Sequence, residues 1–348
     1  EPKSHTIYAH PLLSSNGKLI YLKEDLDNTT AFVEVDTLTG QERRIAYTGS
    51  ISTRPQLSSA GRLWWTEYRQ SPLFAEKVDS KLCYMDIDSQ KPRTMRKHRN
   101  ILYPTPTDGH GIAWVEYTPD GRYSVVVNGR SELNRRSTIP EGSEIHGMAW
   151  DEVTQGLYLI ITDDDGMHIA RMRRDSLERV TRPAYTTLSD LNAGGGKLYY
   201  GSIASGRDEM HTFDLATGRE YRLSTSRYGS FQPQPIDSTT VAGVSYDRRG
   251  YMPVVQRISY DREVLYAPHP PKIMLPESKP WGVVNLDTVR YTATTADKVQ
   301  QETPPKRFSR ALHAINIHSW APASYDPYAI VEESSIAFNL GATIMSQN

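Results

Sequence analysis

Apolar and polar residues alternate with a period of two in short runs along most of this chain, the spacing of strands that turn one face inward. Residues 196–223 show the pattern in full. A glycine turn opens a strand whose inward positions are Leu198 and Tyr200. A polar turn rich in Gly and Asp follows, and His211, Phe213 and Leu215 then share one face of a second strand. The turn ATGRE leads to a third strand carrying Tyr221 and Leu223. The same three-strand meander occupies residues 17–45. Gly17, Leu19 and Tyr21 match Gly196, Leu198 and Tyr200, while Asp36, Thr39, Gly40, Glu42 and Arg44 match Asp214, Thr217, Gly218, Glu220 and Arg222. In both copies Asp, Thr and Gly are turn-makers, which marks Asp214 and Glu220 as scaffold rather than acids.

The repeat extends further. Equivalent strands begin near Gly17, Gly61, Gly111, Gly156, Gly196 and Thr240, spaced 44, 50, 45, 40 and 44 residues apart. Each is followed by a polar turn and another strand, and preceded by a short segment suited to an innermost strand: YAHPLL, RPQLS, YPTPT, IHGMAW, LSDLN and FQPQP. Helical periodicity is nowhere sustained through residue 266. Such units predict an all-β fold, a six-bladed β-propeller of four-stranded antiparallel blades over residues 1–267. One sheet cannot bury both its faces alone, and radial packing gives each blade two neighbours. The turns agree: Thr118-Pro119-Asp120-Gly121 suits a tight turn, and Asp163-Asp164-Asp165-Gly166 a solvated hairpin turn, since the ligand spacing of a calcium loop is missing.

Near Tyr266 the pattern changes. Five prolines in the fifteen residues from Ala267 to Trp281 predict an extended linker over 268–305, with residues 283–294 able to add strands. A C-terminal extension follows at 306–348. Phe308, Leu312 and Ile315 fit a helical stripe, Ile315 and Ile317 a strand, and the sequence leaves both open. From Ser335 onward Ile336, Phe338 and Leu340 alternate with polar or small residues, as in a transmembrane barrel strand.

Composition narrows the function classes. The 348 residues can bury a sizeable core, and 40 basic against 41 acidic residues give a formal charge of -1, which offers no bulk attraction to nucleic acid or anionic membrane. Tyr is abundant at 21 against 6 Phe, which suits half-exposed strands. No run is long and apolar enough for a transmembrane helix. The chain begins almost directly on a strand, as a processed or excised piece of something longer would. Cys83, the single cysteine, sits in an alternating strand and reads as a buried apolar thiol. The basic run Arg93 to Arg99 reads as an outer strand edge protected against aggregation.

Catalytic signatures are scarce. There is no G-x-S-x-G elbow, no HExxH, and no Cys/His cluster with metal-ligand spacing. Gly194-Gly195-Gly196 lacks the Lys-Ser/Thr of a phosphate loop and reads as a turn between strands. His146 and His168 fall on different strands of one unit. No cofactor and no metal are expected.

The GKLIY and GKLYY strands and the DTLTGQERR and DLATGRE turns resemble the TolB-type, or WD-like, propeller repeats of bacterial envelope proteins, over about residues 5–267. PPKRFSRALHAINIHSWAP followed by NLGATIMSQN resembles the segment joining such a propeller to an outer-membrane β-barrel in large Bacteroidetes proteins. The resemblance implies an extramembranous domain attached through a barrel that lies outside this sequence. It implies no dedicated role for His318, Ser319 or Trp320.

In a propeller the functional surface is the mouth of the axial channel, reached by inner strands and their loops. Arg54, Tyr103, His146, Asp190, Asn192 and Gln232 are the expected binding residues, with no catalytic residue among them. The expected function is non-catalytic: a binding or assembly domain of a larger cell-envelope protein, monomeric, on the periplasmic or cell-surface side. It would hold another envelope protein, a peptide or a glycan, and no nucleic acid. The alternatives are a propeller enzyme of lyase or glycosidase type with a polar axial site, and a structural cap gating the barrel.

Overall fold

The computed structural model describes residues 5–264, apart from 37–38, 72–73, 75, 96–99, 108–110, 119–120, 130–135, 175 and 225, together with residues 317–325 and 338–346. The chain divides into two compact units, one of Glu1–Arg69 with Val78–Ala267, the other of Gln70–Lys77 with Pro268–Asn348. The expected linker, the possible strands at 283–294 and the helical stripe from Phe308 lie outside the described residues. So do parts of the Arg93–Arg99 run and the Thr118–Gly121 turn.

The first unit is built of strands alone among its described residues. They are β1 (Thr6–Leu13), β2 (Leu19–Asp25), β3 (Ala31–Val35) and β4 (Glu42–Tyr47); then β5 (Ile51–Leu57), β6 (Arg62–Gln70), β7 (Val78–Asp86) and β8 (Arg93–Met95). Next come β9 (Ile101–Pro106), β10 (Ile112–Tyr117), β11 (Tyr123–Asn128) and β12 (Arg136–Thr138), followed by β13 (Glu144–Asp151), β14 (Gly156–Asp163), β15 (Gly166–Met172) and β16 (Leu177–Arg179). The last are β17 (Leu188–Gly194), β18 (Lys197–Ser202), β19 (Glu209–Asp214) and β20 (Glu220–Arg222), then β21 (Ser230–Pro235), β22 (Thr240–Asp247) and β23 (Gly250–Arg257).

The fold is an all-β propeller, but the expected six separate four-stranded blades do not form. Four sheets stand as four-stranded blades: β5–β8, β9–β12, β13–β16 and β17–β20. The first and last sequence units merge into one seven-stranded sheet in the order β21-β22-β23-β1-β2-β3-β4. The seam is a short parallel pairing of Thr6 with Gly250 and Ile7 with Tyr251. The last unit supplies three strands, because the chain beyond β23 turns to the outer edge of the β17–β20 blade instead. There Tyr221 pairs with Glu263, Arg222 N–H donates to Arg262 O, and Val264 N–H donates to Glu220 O. Periodicity counts sequence units; it carries no information on backbone pairing between units distant in the chain.

The period-two pattern explains the packing. Middle strands are apolar on both faces because each sheet lies between two others. In β2, Ile20 and Leu22 pack with Phe32 against Leu63, Trp65 and Met85 of the next blade, whereas Leu19 and Tyr21 pack with Val33 against Ala242 and Val244. The same logic joins Trp64 and Leu82 to Ile112 and Trp114, Val115 and Val125 to Leu157 and Leu159, and Ile160 and Ile169 to Leu198 and Phe213. The inner strands β1, β5, β9, β13, β17 and β21 contact one another in that order, and β21 contacts β1, which closes a ring around an axial channel.

In the second unit, β24 (Ile317–Tyr325) pairs antiparallel with β25 (Phe338–Ser346). No helix among the described residues is long and apolar enough to cross a membrane.

Candidate axial binding site

Each inner strand breaks register at the same depth. The breaks fall between Ala9 and Leu12, Thr53 and Gln56, Ile145 and Gly147, Ser189 and Asn192, and Phe231 and Gln234, and opposite Ala113–Val115 in β9. At these bulges stand His10, Arg54, Tyr103, His146, Asp190 and Gln232. Four of them adopt left-handed backbone: His10 (φ 53°), Tyr103 (φ 49°), Asp190 (φ 52°) and Gln232 (φ 59°). A bulge residue in that well is re-aimed out of the normal pleat alternation, which is how a strand otherwise packed between blades presents a polar side chain to the axis.

Arg54 spans the channel. It is 7% exposed; its Nη1 donates to Asp190 O at 2.9 Å and its Nη2 to Pro11 O at 3.3 Å, linking β5 to β17 and β1. His10 N–H donates to Gln232 Oε1 at 2.6 Å, and His10 Nδ1 lies 3.9 Å from Asp190 Oδ1. Tyr103 N–H donates to Thr53 Oγ1 at 2.9 Å, and Thr105 Oγ1 to Met148 O at 3.2 Å. The ring is thus stapled strand to strand by polar side chains on main-chain atoms.

Burial dominates the electrostatics. It pulls the His10 imidazole down to about 4, with the Asp190 charge opposing and the Arg54 charge adding to the shift. It lowers the basicity of the Arg54 guanidinium, against the pull of Asp190, and pushes the Tyr103 phenol up to about 12, helped by Tyr123, Asp190 and Tyr68. At neutral pH His10 is uncharged beside one cation and one carboxylate.

Four of the six expected residues, Arg54, Tyr103, His146 and Asp190, line one small cavity of about 70 Å³ together with Gln56 and Met148. Gln232 belongs to the same ring through His10. Asn192 stands elsewhere, in a wider mouth of about 440 Å³ formed where all six inner strands end. There Asn192 Nδ2 donates to Gln234 Oε1 at 2.7 Å and to Pro233 O at 3.4 Å. Gln56, Thr105, Trp150, Lys197, Tyr199, Glu152 and Asp237 are among the polar residues that line this mouth. The Trp150 indole N–H is buried with no hydrogen-bond partner.

Sequence reasoning missed His10, Gln56, Trp150 and Gln234. The repeat contained the signal for His10, because it holds in YAHPLL the place that Arg54, Tyr103 and Asp190 hold in later units. Cys83 lies buried in β7 with its thiol pushed up by burial, 3.7 Å from Thr94 Oγ1. Asp163 and Asp165 form ion pairs with Arg179 at a hairpin turn, and Glu220 accepts from His211 Nδ1 at 2.7 Å. Among the described residues no three His, Cys, Asp or Glu side chains converge to hold a metal ion.

No protein-family model and no curated protein matches the chain. Solved structures of similar shape include TolB from Acinetobacter baumannii, with a TM-score of 0.49 and 12% identity over 75% of this chain and 62% of that one. An oligogalacturonate lyase from Vibrio parahaemolyticus aligns with a TM-score of 0.46 and 17% identity over 71% and 75%. An acylaminoacyl peptidase from Pyrococcus horikoshii aligns with a TM-score of 0.48 and 10% identity over 75% and 45%. This chain therefore spans under two thirds of the TolB chain and less than half of the peptidase. Likeness at this level adds nothing to the propeller already visible in the sheets and assigns no activity.

Proposed function

We propose that this propeller is a non-catalytic binding domain whose axial mouth takes an extended peptide segment. It would serve as an assembly domain of a larger, monomeric cell-envelope protein. The observation that carries the reading is the make-up of the 440 Å³ mouth: the carboxamides of Gln56, Asn192 and Gln234 surround it, beside the Thr105 hydroxyl and Trp150. Carboxamides offer both donors and acceptors, matching the alternating N–H and C=O groups of a peptide main chain, and the indole adds an apolar platform with a free N–H. The envelope setting, on the periplasmic or cell-surface side, is supported by the resemblance of residues 306–348 to a barrel lead-in and by the repeat motifs.

The test is selection of displayed random peptides on the intact chain, followed by titration of the peptides retained. Binding should weaken by about tenfold or more in Trp150→Ala, as loss of an aromatic anchor does, and stay level in Tyr185→Ala, whose side chain is exposed. Peptides bound equally by wild type and Trp150→Ala, or no peptide retained at all, would overturn the reading.

A further inference from the structure

Below the mouth, past Gln56, which lines both spaces, lies the 70 Å³ cavity. Its polar groups are only partly used. Arg54 Nε is buried with no hydrogen-bond partner, although the residue as a whole is 7% exposed, and His146 Nε2 is likewise without a hydrogen bond, lying 3.7 Å from Glu144 Oε2. His10 Nδ1, beside the cavity, is in the same condition. The Asp190 side chain keeps 21% of its surface accessible, and His10 Nδ1 lies 3.9 Å from its Oδ1, beyond hydrogen-bond reach.

These groups specify a ligand. A guanidinium has donors only, so Arg54 Nε–H requires an oxygen or comparable acceptor. The Asp190 carboxylate has acceptors only and requires a donor. A neutral imidazole serves either role according to its tautomer. Within the cavity the Arg54 guanidinium and the Asp190 carboxylate oppose each other and His10 beside it is held neutral by burial, while the Glu144 carboxylate, 3.7 Å from His146 Nε2, is 61% exposed and solvated. An added carboxylate or ammonium would leave one uncompensated charge in a largely buried space, which is costly. A cavity that holds one water needs roughly 10–15 Å³ of such volume, so 70 Å³ admits a group of a few non-hydrogen atoms.

We infer that this cavity is a subsite for a primary carboxamide, the side chain of an Asn or Gln carried by the bound peptide. Its carbonyl oxygen accepts from Arg54 Nε–H and its NH2 donates to the Asp190 carboxylate, with His146 Nε2 available to the same group. This specificity rests on the peptide-binding reading of the mouth, and it uses the bulge geometry that aims Arg54, His146 and Asp190 at the axis.

The experiment titrates the intact, imidazole-labelled chain with acetamide, sodium acetate and N-methylacetamide at constant ionic strength, following the His10 and His146 resonances by NMR. Acetamide should give saturable shifts, and acetate should bind about tenfold more weakly or worse because its charge has no counterpart. Asp190→Asn keeps the main-chain carbonyl that holds Arg54 and suits the left-handed backbone. It makes the cavity cationic, so the preference should reverse toward acetate. His146→Phe, a side chain with no hydrogen bond to lose, should weaken acetamide severalfold. The inference falls if acetate matches acetamide in wild type, if Asp190→Asn leaves the order unchanged, if N-methylacetamide binds more tightly than acetamide, or if no shift saturates. Saturable acetamide binding in a chain that retains no peptides would sink the mouth reading and leave the subsite standing; peptide retention without acetamide binding would do the reverse.

Discussion

His10 stands in a left-handed backbone conformation with its imidazole held at about 4 by burial, against an ordinary value of 6.5. Between those values the unfolded chain binds a proton that the folded chain refuses, so stability rises with pH there. This contribution is intact above about pH 6.5 and is lost as pH falls through about 4, by on the order of 3 kcal/mol for such a difference. Urea unfolding of wild type and His10→Asn between pH 4 and 7 should therefore show a shallower pH slope in the variant; parallel slopes would refute the assignment. Arg54 makes the complementary case. Its type and place in the repeat were readable from the sequence, but its bonds to Pro11 O and Asp190 O were not, because they cross the ring between segments 43 and 136 residues apart.

At the scale of the strand, one device recurs. In β6 the sequence Trp65-Thr66-Glu67 and in β10 Trp114-Val115-Glu116 place an indole and a carboxylate two residues apart, on one face. Trp65 Nε1 donates to Glu67 Oε1 at 2.8 Å, and Trp114 Nε1 to Glu116 Oε1 at 2.9 Å. Glu67 also accepts from Gly49 N–H at 3.0 Å and pairs with Lys81 at 2.8 Å. Burial pushes its carboxyl up, but the Lys81, Trp65 and Gly49 partners outweigh burial and hold it below the usual range. Glu67→Ala strands the buried Trp65 indole N–H, while the exposed Gly49 N–H turns to water, and should cost about 1–3 kcal/mol in chemical denaturation. A loss under about 0.5 kcal/mol, the range of ordinary surface changes, would show that the network is not stabilising. The W-x-E pairs were visible in the sequence. The third partner of Glu67 was not, since β7 is joined to β6 by pairing rather than by spacing.

For the whole molecule the informative position is the seam of the seven-stranded sheet. Gly250 has φ 111° and pairs with Thr6, and a Cβ added there would collide with the Thr6 carbonyl oxygen. Gly250→Ala is expected to part β1 from β23 and lower stability by about 2–4 kcal/mol, combining backbone strain with a lost seam. Amide exchange should locate the damage: faster exchange at Thr6 and Ile7, with β13–β16 still protected. Uniform acceleration throughout, or no change, would contradict a local seam.

The sequence by itself determined the strands, their turns, the inward alternation and the phase of the repeat. Those depend on residue type and spacing within a few neighbours. From that phase alone, Arg54, Tyr103, His146, Asp190 and Gln232 could be placed near the axis. Tertiary structure alone decided how the ring closes, that the first and last units share one sheet, and that the chain after β23 serves the β17–β20 blade. It also decided that Asn192 belongs to the mouth while Arg54 and Asp190 meet across a separate cavity. Each of these outcomes rests on hydrogen bonds and charge contacts between residues far apart in the chain, whose net gain depends on which groups are buried together.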